Sequence, residues 1–260
     1  MSDSTTYKTS DSTPFKQDSL RSILSLHMSI VKAIWRKHGS DKLYRYFDLH
    51  GGYGVDENGN AGSPLIFHEV ATGLEVPYRA TIFEKDQDAF NSLKQNVDAL
   101  NNSNFELINQ DHNIYVEKNF EDLKIPEKIR KYQYGVVYSD PSNADPSFDV
   151  LRTITTAYPR VDIVINLAAA SYKRSKNLDR YENLKDALFA IKKTWIIRKP
   201  KDKHQWTMML GSNWKEFPQW QKRGFVRFDS DLGKEWFVKV AYTEQERHEM
   251  FNPKLFDLND

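Results

Sequence analysis

The chain has 260 residues, 37 Lys/Arg against 36 Asp/Glu, 39% apolar and 13% aromatic residues, and no cysteine. That apolar content supplies one sizeable core and excludes a disordered chain, while the near-neutral balance excludes a uniformly basic nucleic-acid binder. Lack of cysteine removes disulfides, thiolate zinc sites and thiolate nucleophiles together. No apolar run reaches membrane-spanning length, and the polar start MSDSTTYKTSDSTPF lacks the apolar stretch of a signal peptide; both predict a cytoplasmic protein.

Residues 1–17 are Ser/Thr-rich without periodicity and read as a disordered leader. One domain is expected over 18–260. Leu20, Ile23, Leu24, His27, Ile30, Val31, Ile34 and Trp35 recur at helical spacing and predict an N-terminal helix within 18–42, capped by Asp18 or Ser19 and stopping near Gly39. A core over 43–170 follows. LYRYFDL (43–49) reads as a buried strand that runs into His50, Gly51, Gly52 and Gly54, then a polar hairpin. Ser63 and Pro64 read as a helix cap and first helical residue.

YRATIFEKD (78–86) predicts a second strand, and DQDAFNSLKQNVDAL a helix for which Asp86 is the cap. NFELINQD (104–111) and YGVVYSDPSNADP (134–146) read as strands three and four, Asp145 and Pro146 as the opening of another helix, and VDIVINLAA (161–169) as strand five. Within 171–260, QWTMMLGS, GFVRFDS and EWFVKVAY look strand-like and suggest an antiparallel edge. The expected class is therefore α/β, a Rossmann-like, mostly parallel, doubly wound sheet with an antiparallel C-terminal edge. Eleven Lys/Arg against four Asp/Glu between Lys173 and Lys203 form a basic stretch that could track a phosphate backbone, with Lys173, Arg174, Lys176, Arg198 and Lys199 as candidates.

Ligands of open parallel sheets bind beyond the carboxyl ends of the strands. The unusual residues fall there: Asp48 and the glycines, Glu84, Asp111 with His112, and Asp140-Pro141-Ser142-Asn143. Glycines let a backbone approach a ligand, a strand-two acid accepts two ribose hydroxyls, and a strand-three acid accepts an exocyclic amine. The glycines do not open directly into a helix as a dinucleotide site requires, and no phosphate-binding GxxxxGK[S/T] loop occurs. A nucleoside without a pyrophosphate fits better, with S-adenosylmethionine (SAM) the candidate. Neither His50 nor His112 has a partner at metal-ligand spacing, so no metal is expected.

Asp48-Leu49-His50-Gly51-Gly52-Tyr53-Gly54 resembles the first motif of class I SAM-dependent methyltransferases. IFEKD (82–86) resembles their ribose-binding acidic motif, and Asp111 their adenine-contacting acid. Asp140-Pro141-Ser142-Asn143 is similar to the DPPY-type tetrapeptide of methyltransferases acting on nucleic-acid amino groups. The glycine loop, insertion and Gly62-Ser63-Pro64 resemble the three-Cys-motif partner proteins. The resemblance, over about 43–146, implies SAM held by Asp48, Gly51, Gly52, Gly54, Glu84 and Asp111, with Asp140 and Asn143 at an adenine N6 or cytosine N4 amine; His50 and His112, at the same strand ends, are further cofactor-binding candidates. His50, Ser142 and Asn143 depart from the family pattern, and Asn143 cannot stack on a base. Two alternatives stay open: a binding or regulatory module that has lost catalysis, and a methyltransferase for small molecules or proteins.

Overall fold

The computed structural model describes residues 13–38, 43–119, 132–141, 145–168, 184–201, 206–215 and 219–241. Helix α1 spans Thr13–His38 and buries Leu20, Ile23, Leu24, Val31 and Trp35 as one stripe. It starts ahead of the predicted cap at Asp18, inside the segment read as a leader. Apolar periodicity does not hold this extra turn. Phe15 lies under the cations of Arg198 and Lys201, at 5.6 and 4.2 Å from its ring centroid, and the Gln17 amide donates to the Ala61 carbonyl at 3.1 Å.

The sheet has eight strands: β1 Tyr44–Asp48, β2 Tyr78–Phe83, β3 Phe105–Ile108, β4 Gly135–Ser139, β5 Val161–Ala168, β6 Thr194–Arg198, β7 Trp206–Ser212 and β8 Phe225–Arg227. Their order is β3-β2-β1-β4-β5-β7-β6-β8. Strands β1 to β5 pair in parallel, and β7 joins β5 antiparallel. β6 then pairs antiparallel with β7 and with β8. Because β1 pairs with both β2 and β4, the winding reverses between β1 and β4, which makes their carboxyl ends the switch point.

Apolar packing covers both faces. Helix α1, α2 (Ser63–Gly73) and α3 (Gln87–Asp98) bury one face through Leu24, Trp35, Ile66, Phe67, Leu93 and Val97. The other face is buried by α4 (His112–Asn119), α5 (Phe148–Ala157) and α6 (Leu184–Phe189) through Val116, Leu151, Ile154 and Leu188, with Trp236 of α7 (Asp231–Ala241) packed alongside. No helix among the described residues is long and apolar enough to cross a membrane.

Two local expectations change, and one strand, β6, was not expected. EWFVKVA (235–241) belongs to helix α7 and is not a strand; Ser230 caps that helix, its hydroxyl accepting the Gly233 N–H at 3.2 Å. Strand β6 lies in TWIIR, inside the basic stretch. Helix α5 opens at Phe148, after a left-handed Ser147 (φ 57°) whose N–H is taken by Asp145 at 3.0 Å. Asp86 does cap α3, accepting the Ala89 N–H at 2.9 Å.

At the amino-terminal edge of the sheet, a polar group ties α1 to β1 and β5. His27 is fully buried between the Tyr44 hydroxyl, 2.7 Å from Nδ1, and Asp162, 3.1 Å from Nε2. Burial, then the Asp162 charge, pushes the Tyr44 hydroxyl well above its ordinary pKa, so Tyr44 donates to Nδ1 and Nε2–H donates to Asp162. Trp214 stacks on the imidazole at 5.6 Å. His27→Ala would leave a buried carboxylate without this donor and should cost about 3 kcal/mol by urea denaturation. A loss within about 0.5 kcal/mol, the usual range of a surface substitution, would refute that role.

Candidate active site

A cleft of about 600 Å³ lies over the carboxyl ends of β1 and β4. This falls within the usual range for small-molecule sites, ~300–1,000 Å³. His50, Gly51, Gly52, Gly54, Glu84, Asp111, His112 and Asp140 all line it. Of the candidate cofactor residues, Asp48 alone stands behind the wall, and Asn143 lies outside the described residues.

Asp48 is fully buried. Its carboxylate accepts the His50 N–H and the Tyr46 hydroxyl, each at 3.0 Å, and the Ser63 hydroxyl. It therefore orients the loop and does not face the cleft. Ser63 is not the cap expected of it: it is the first residue of α2, the cap position falls to Gly62, which has no side chain to offer, and the Ser63 hydroxyl goes to Asp48.

The glycines have separate causes. A Cβ on Gly51 would meet Ile82 Cγ2 at 2.6 Å and Leu93 Cδ2 at 2.8 Å. Close packing against β2 and α3, not approach of a ligand, accounts for that glycine. Gly52 adopts φ +61°, which turns its N–H onto Glu84 Oε2 at 2.8 Å. Glu84 Oε1 accepts the Asp86 N–H, also at 2.8 Å. A carboxylate offers about four acceptor positions, so Glu84 keeps capacity toward the cleft. The hairpin 55–62 is closed on itself by Asp56, whose Oδ1 accepts the N–H groups of Asn58 and Asn60 at 2.9 and 2.8 Å.

Asp111 precedes α4, with Oδ1 accepting from the Asn113 backbone and side chain, both at 2.9 Å. Burial pushes its carboxyl up, but these donors, with His112 and Lys85, hold it below the usual carboxylate range. His112 packs edge-on against His50, ring centroids 4.9 Å apart. Its Nε2 lies 2.8 Å from the Ser147 hydroxyl, and its ring also hydrogen-bonds the Leu49 backbone. His50 Nδ1 accepts the Asp140 N–H at 3.3 Å, which ties the first loop to the end of β4.

Asp140 meets three side chains. Oδ1 accepts from the Asn166 amide at 2.8 Å and from Lys16 Nζ at 3.3 Å. Oδ2 lies 3.4 Å from the Tyr138 hydroxyl. The same Lys16 ammonium sits 3.9 Å from the centroid of Trp206. Lys16, Asn166, Ser147 and Trp206 come from distant parts of the chain and carry no local motif. Trp206 alone gives a signal, as an aromatic at the start of a strand.

The basic candidates fare differently. Arg198 donates to the Ser19 hydroxyl at 2.6 Å and to the Arg223 carbonyl at 3.2 Å, and packs on Phe15 and Phe225. Its guanidinium is spent on holding α1, so it is a fold contact and not a free phosphate ligand. Lys199 is exposed. Lys173, Arg174 and Lys176 lie outside the described residues.

His50, on the cleft wall, and the buried Asp48 titrate in opposite senses. Burial, then His112, lowers His50 from 6.5 to about 3. As pH falls from about 6.5 to about 3, the unfolded chain gains a proton that folded His50 refuses, and stability drops. Burial raises Asp48 from 3.8 to about 6, against the pull of its hydrogen-bond donors. The folded chain then holds a proton that the unfolded chain has lost, so this group's cost grows as pH rises from about 3.8 to about 6. Comparing the parent chain with His50→Gln, the parent's relative stability should decline as pH falls from 6.5 to 4, by up to about 1.4 kcal/mol per pH unit. Against Asp48→Asn it should decline as pH rises from 4 to 6. Urea melts across this range check both; parallel pH profiles would refute them.

No protein-family model matches the chain, and no curated protein matches its sequence. Similar folds occur among solved structures. The crystal structure of WbdD, a bifunctional kinase-methyltransferase, matches at TM-score 0.50 and 10% identity, over 78% of this chain and 41% of WbdD. An rRNA methylase from Streptococcus thermophilus matches at TM-score 0.40 and 13% identity, over 79% and 99%. TYW2 of M. jannaschii, in complex with AdoMet, matches at TM-score 0.42 and 14% identity, over 78% and 76%. At such identities the likeness is one of fold. With its parallel strands β1 to β5 and antiparallel C-terminal edge, the chain has the Rossmann-like α/β fold of class I methyltransferases.

Proposed function

We propose that this protein is a SAM-dependent methyltransferase, and that its acceptor is an exocyclic amino group of a nucleic-acid base, adenine N6 or cytosine N4. One observation carries the reading. The ends of four parallel strands bring the Gly51–Gly54 loop, Glu84, Asp111 and Asp140 to one cleft at the switch point. The donor set fits the cofactor: Glu84 has acceptor capacity for ribose hydroxyls, and Asp111 for an adenine amine. Asp48 braces the loop from behind, and His50, on the cleft wall, ties that loop to the end of β4.

Bound SAM would supply a methyl group made electrophilic by its sulfonium. The residues of this chain have the harder task of activating the acceptor. The lone pair of an exocyclic amine is delocalised into the ring, and a hydrogen bond from that amine to Asp140 draws it back onto nitrogen. Asn166 and the His50–Asp140 backbone contact hold this carboxylate in place. On duplex substrate the base must first leave its stack, at a cost of a few kcal/mol. A covalent cytosine-C5 route needs a thiolate, and the chain has no cysteine.

A second reading, a methyltransferase-fold binding module without turnover, draws support from the Lys16 ammonium seated on Asp140. Calorimetric titration with S-adenosylhomocysteine tests the cofactor site. The parent chain should bind it, and Glu84→Ala should weaken binding by at least about tenfold, the worth of roughly 1.4 kcal/mol. Failure of the parent to bind either this product or SAM would sink the enzymatic reading. Transfer of a labelled methyl group to adenine- or cytosine-containing strands separates enzyme from binding module.

A further inference from the structure

We infer that the indole of Trp206 is the platform on which the acceptor base stacks, and that Lys16 occupies the place of the acceptor amine in its absence. This rests on the function proposed above. Activating a base amine needs two things of the protein: an acceptor for its N–H and a flat face to hold the ring. Asp140 offers the first. Neither Ser142 nor Asn143, next to it in sequence, has a ring to offer the second.

The face comes from across the sheet. Trp206, the first residue of β7, lines the same cleft as Asp140. One nitrogen joins the two groups: Lys16 Nζ is 3.9 Å from the Trp206 centroid and 3.3 Å from Asp140 Oδ1. An aromatic face and a carboxylate thus flank a single amino group. Trp35, Trp195 and Trp220 are 2%, 0% and 1% exposed and belong to the core, whereas Trp206 is only partly buried. Its ring is satisfied by a cation and not by apolar packing alone.

Lys16 can leave without the helix that carries it. Phe15, the Gln17–Ala61 bond, the Ser19–Arg198 bond and the Ser22–Arg223 bond at 3.0 Å pin the first turns of α1. The lysine stem has four rotatable carbons and can swing its ammonium to solvent on its own. A base sliding onto the vacated indole face then brings its amino group to Asp140.

The test measures binding of end-labelled single strands of deoxyadenosine, deoxycytidine or thymidine by fluorescence anisotropy, with S-adenosylhomocysteine present. Trp206→Ala should weaken the deoxyadenosine strand by about tenfold, the order of one lost base–aromatic stack, and Trp206→Phe should restore most of it. Lys16→Ala should tighten the deoxyadenosine and deoxycytidine strands several-fold over the thymidine strand, whose base has no exocyclic amine. Equal weakening of all three strands by Lys16→Ala would make Lys16 a phosphate contact and overturn the inference. So would an unchanged affinity in Trp206→Ala, or a phenylalanine that fails to rescue. If the unaltered protein binds S-adenosylhomocysteine, these failures overturn the acceptor platform alone; if it does not, the cofactor reading falls, and this inference with it.

Discussion

The carboxylate of Asp48 sits fully buried where β1 ends, and three donors converge on it from the strand, the turn and the start of α2. A buried carboxyl is tolerated only when such partners are present. Meeting that demand fixes the direction in which the chain leaves β1. The loop that follows then has one course: Gly51 drops against Ile82 and Leu93, and Gly52 presents its N–H to Glu84. Through His50, the same turn receives the Asp140 N–H, so the ends of β1, β2 and β4 form one hydrogen-bonded unit. The cleft is the space this unit leaves open.

Helix α1 closes the arrangement from the outside. Between Lys16 and His27 it rises about 17 Å, and a five-residue strand such as β1 is also about 17 Å long. The His27–Asp162–Tyr44 group can therefore anchor the helix at the amino-terminal edge of the sheet while Lys16 arrives at the carboxyl edge, on Asp140. The helix is a ruler laid along the strands. Fixing its register at the buried histidine also sets where the ammonium lands.

The parallel half of the sheet was legible because its strands are buried on both faces and read as unbroken apolar runs such as YGVVYS, each followed by a polar strand end. The antiparallel half was harder. In EWFVKVAY, alternation and helical spacing are both satisfied over so short a stretch, and the deciding feature is the cap at Ser230, outside the apolar run. Strand β6 is hidden for another reason: TWIIR is flanked by lysines, and charge masks a five-residue core segment. The acids and glycines of the site were visible as strand-end residues. Lys16 and Asn166 were not, because Asp140 meets them only through the fold, at separations of 124 and 26 residues, and nothing in the sequence set Trp206 beside Lys16.

The fold also changes what the basic stretch can mean. Lys192 is buried, with its ammonium on the Val161 carbonyl at 2.7 Å, and burial lowers its pKa. Arg198 is bound to Ser19 and Arg223, and Lys201 lies over Phe15. These cations do structural work around α1, β5 and β6, so a count of charges overstates what remains to meet phosphates. Lys193 and Lys199 are exposed and remain available. On the proposed reading, recognition of the acceptor then depends less on a charged track than on the cleft, where a carboxylate and an indole already hold one amino group between them. A neutral base carrying an exocyclic amine satisfies both at once; a phosphate satisfies neither.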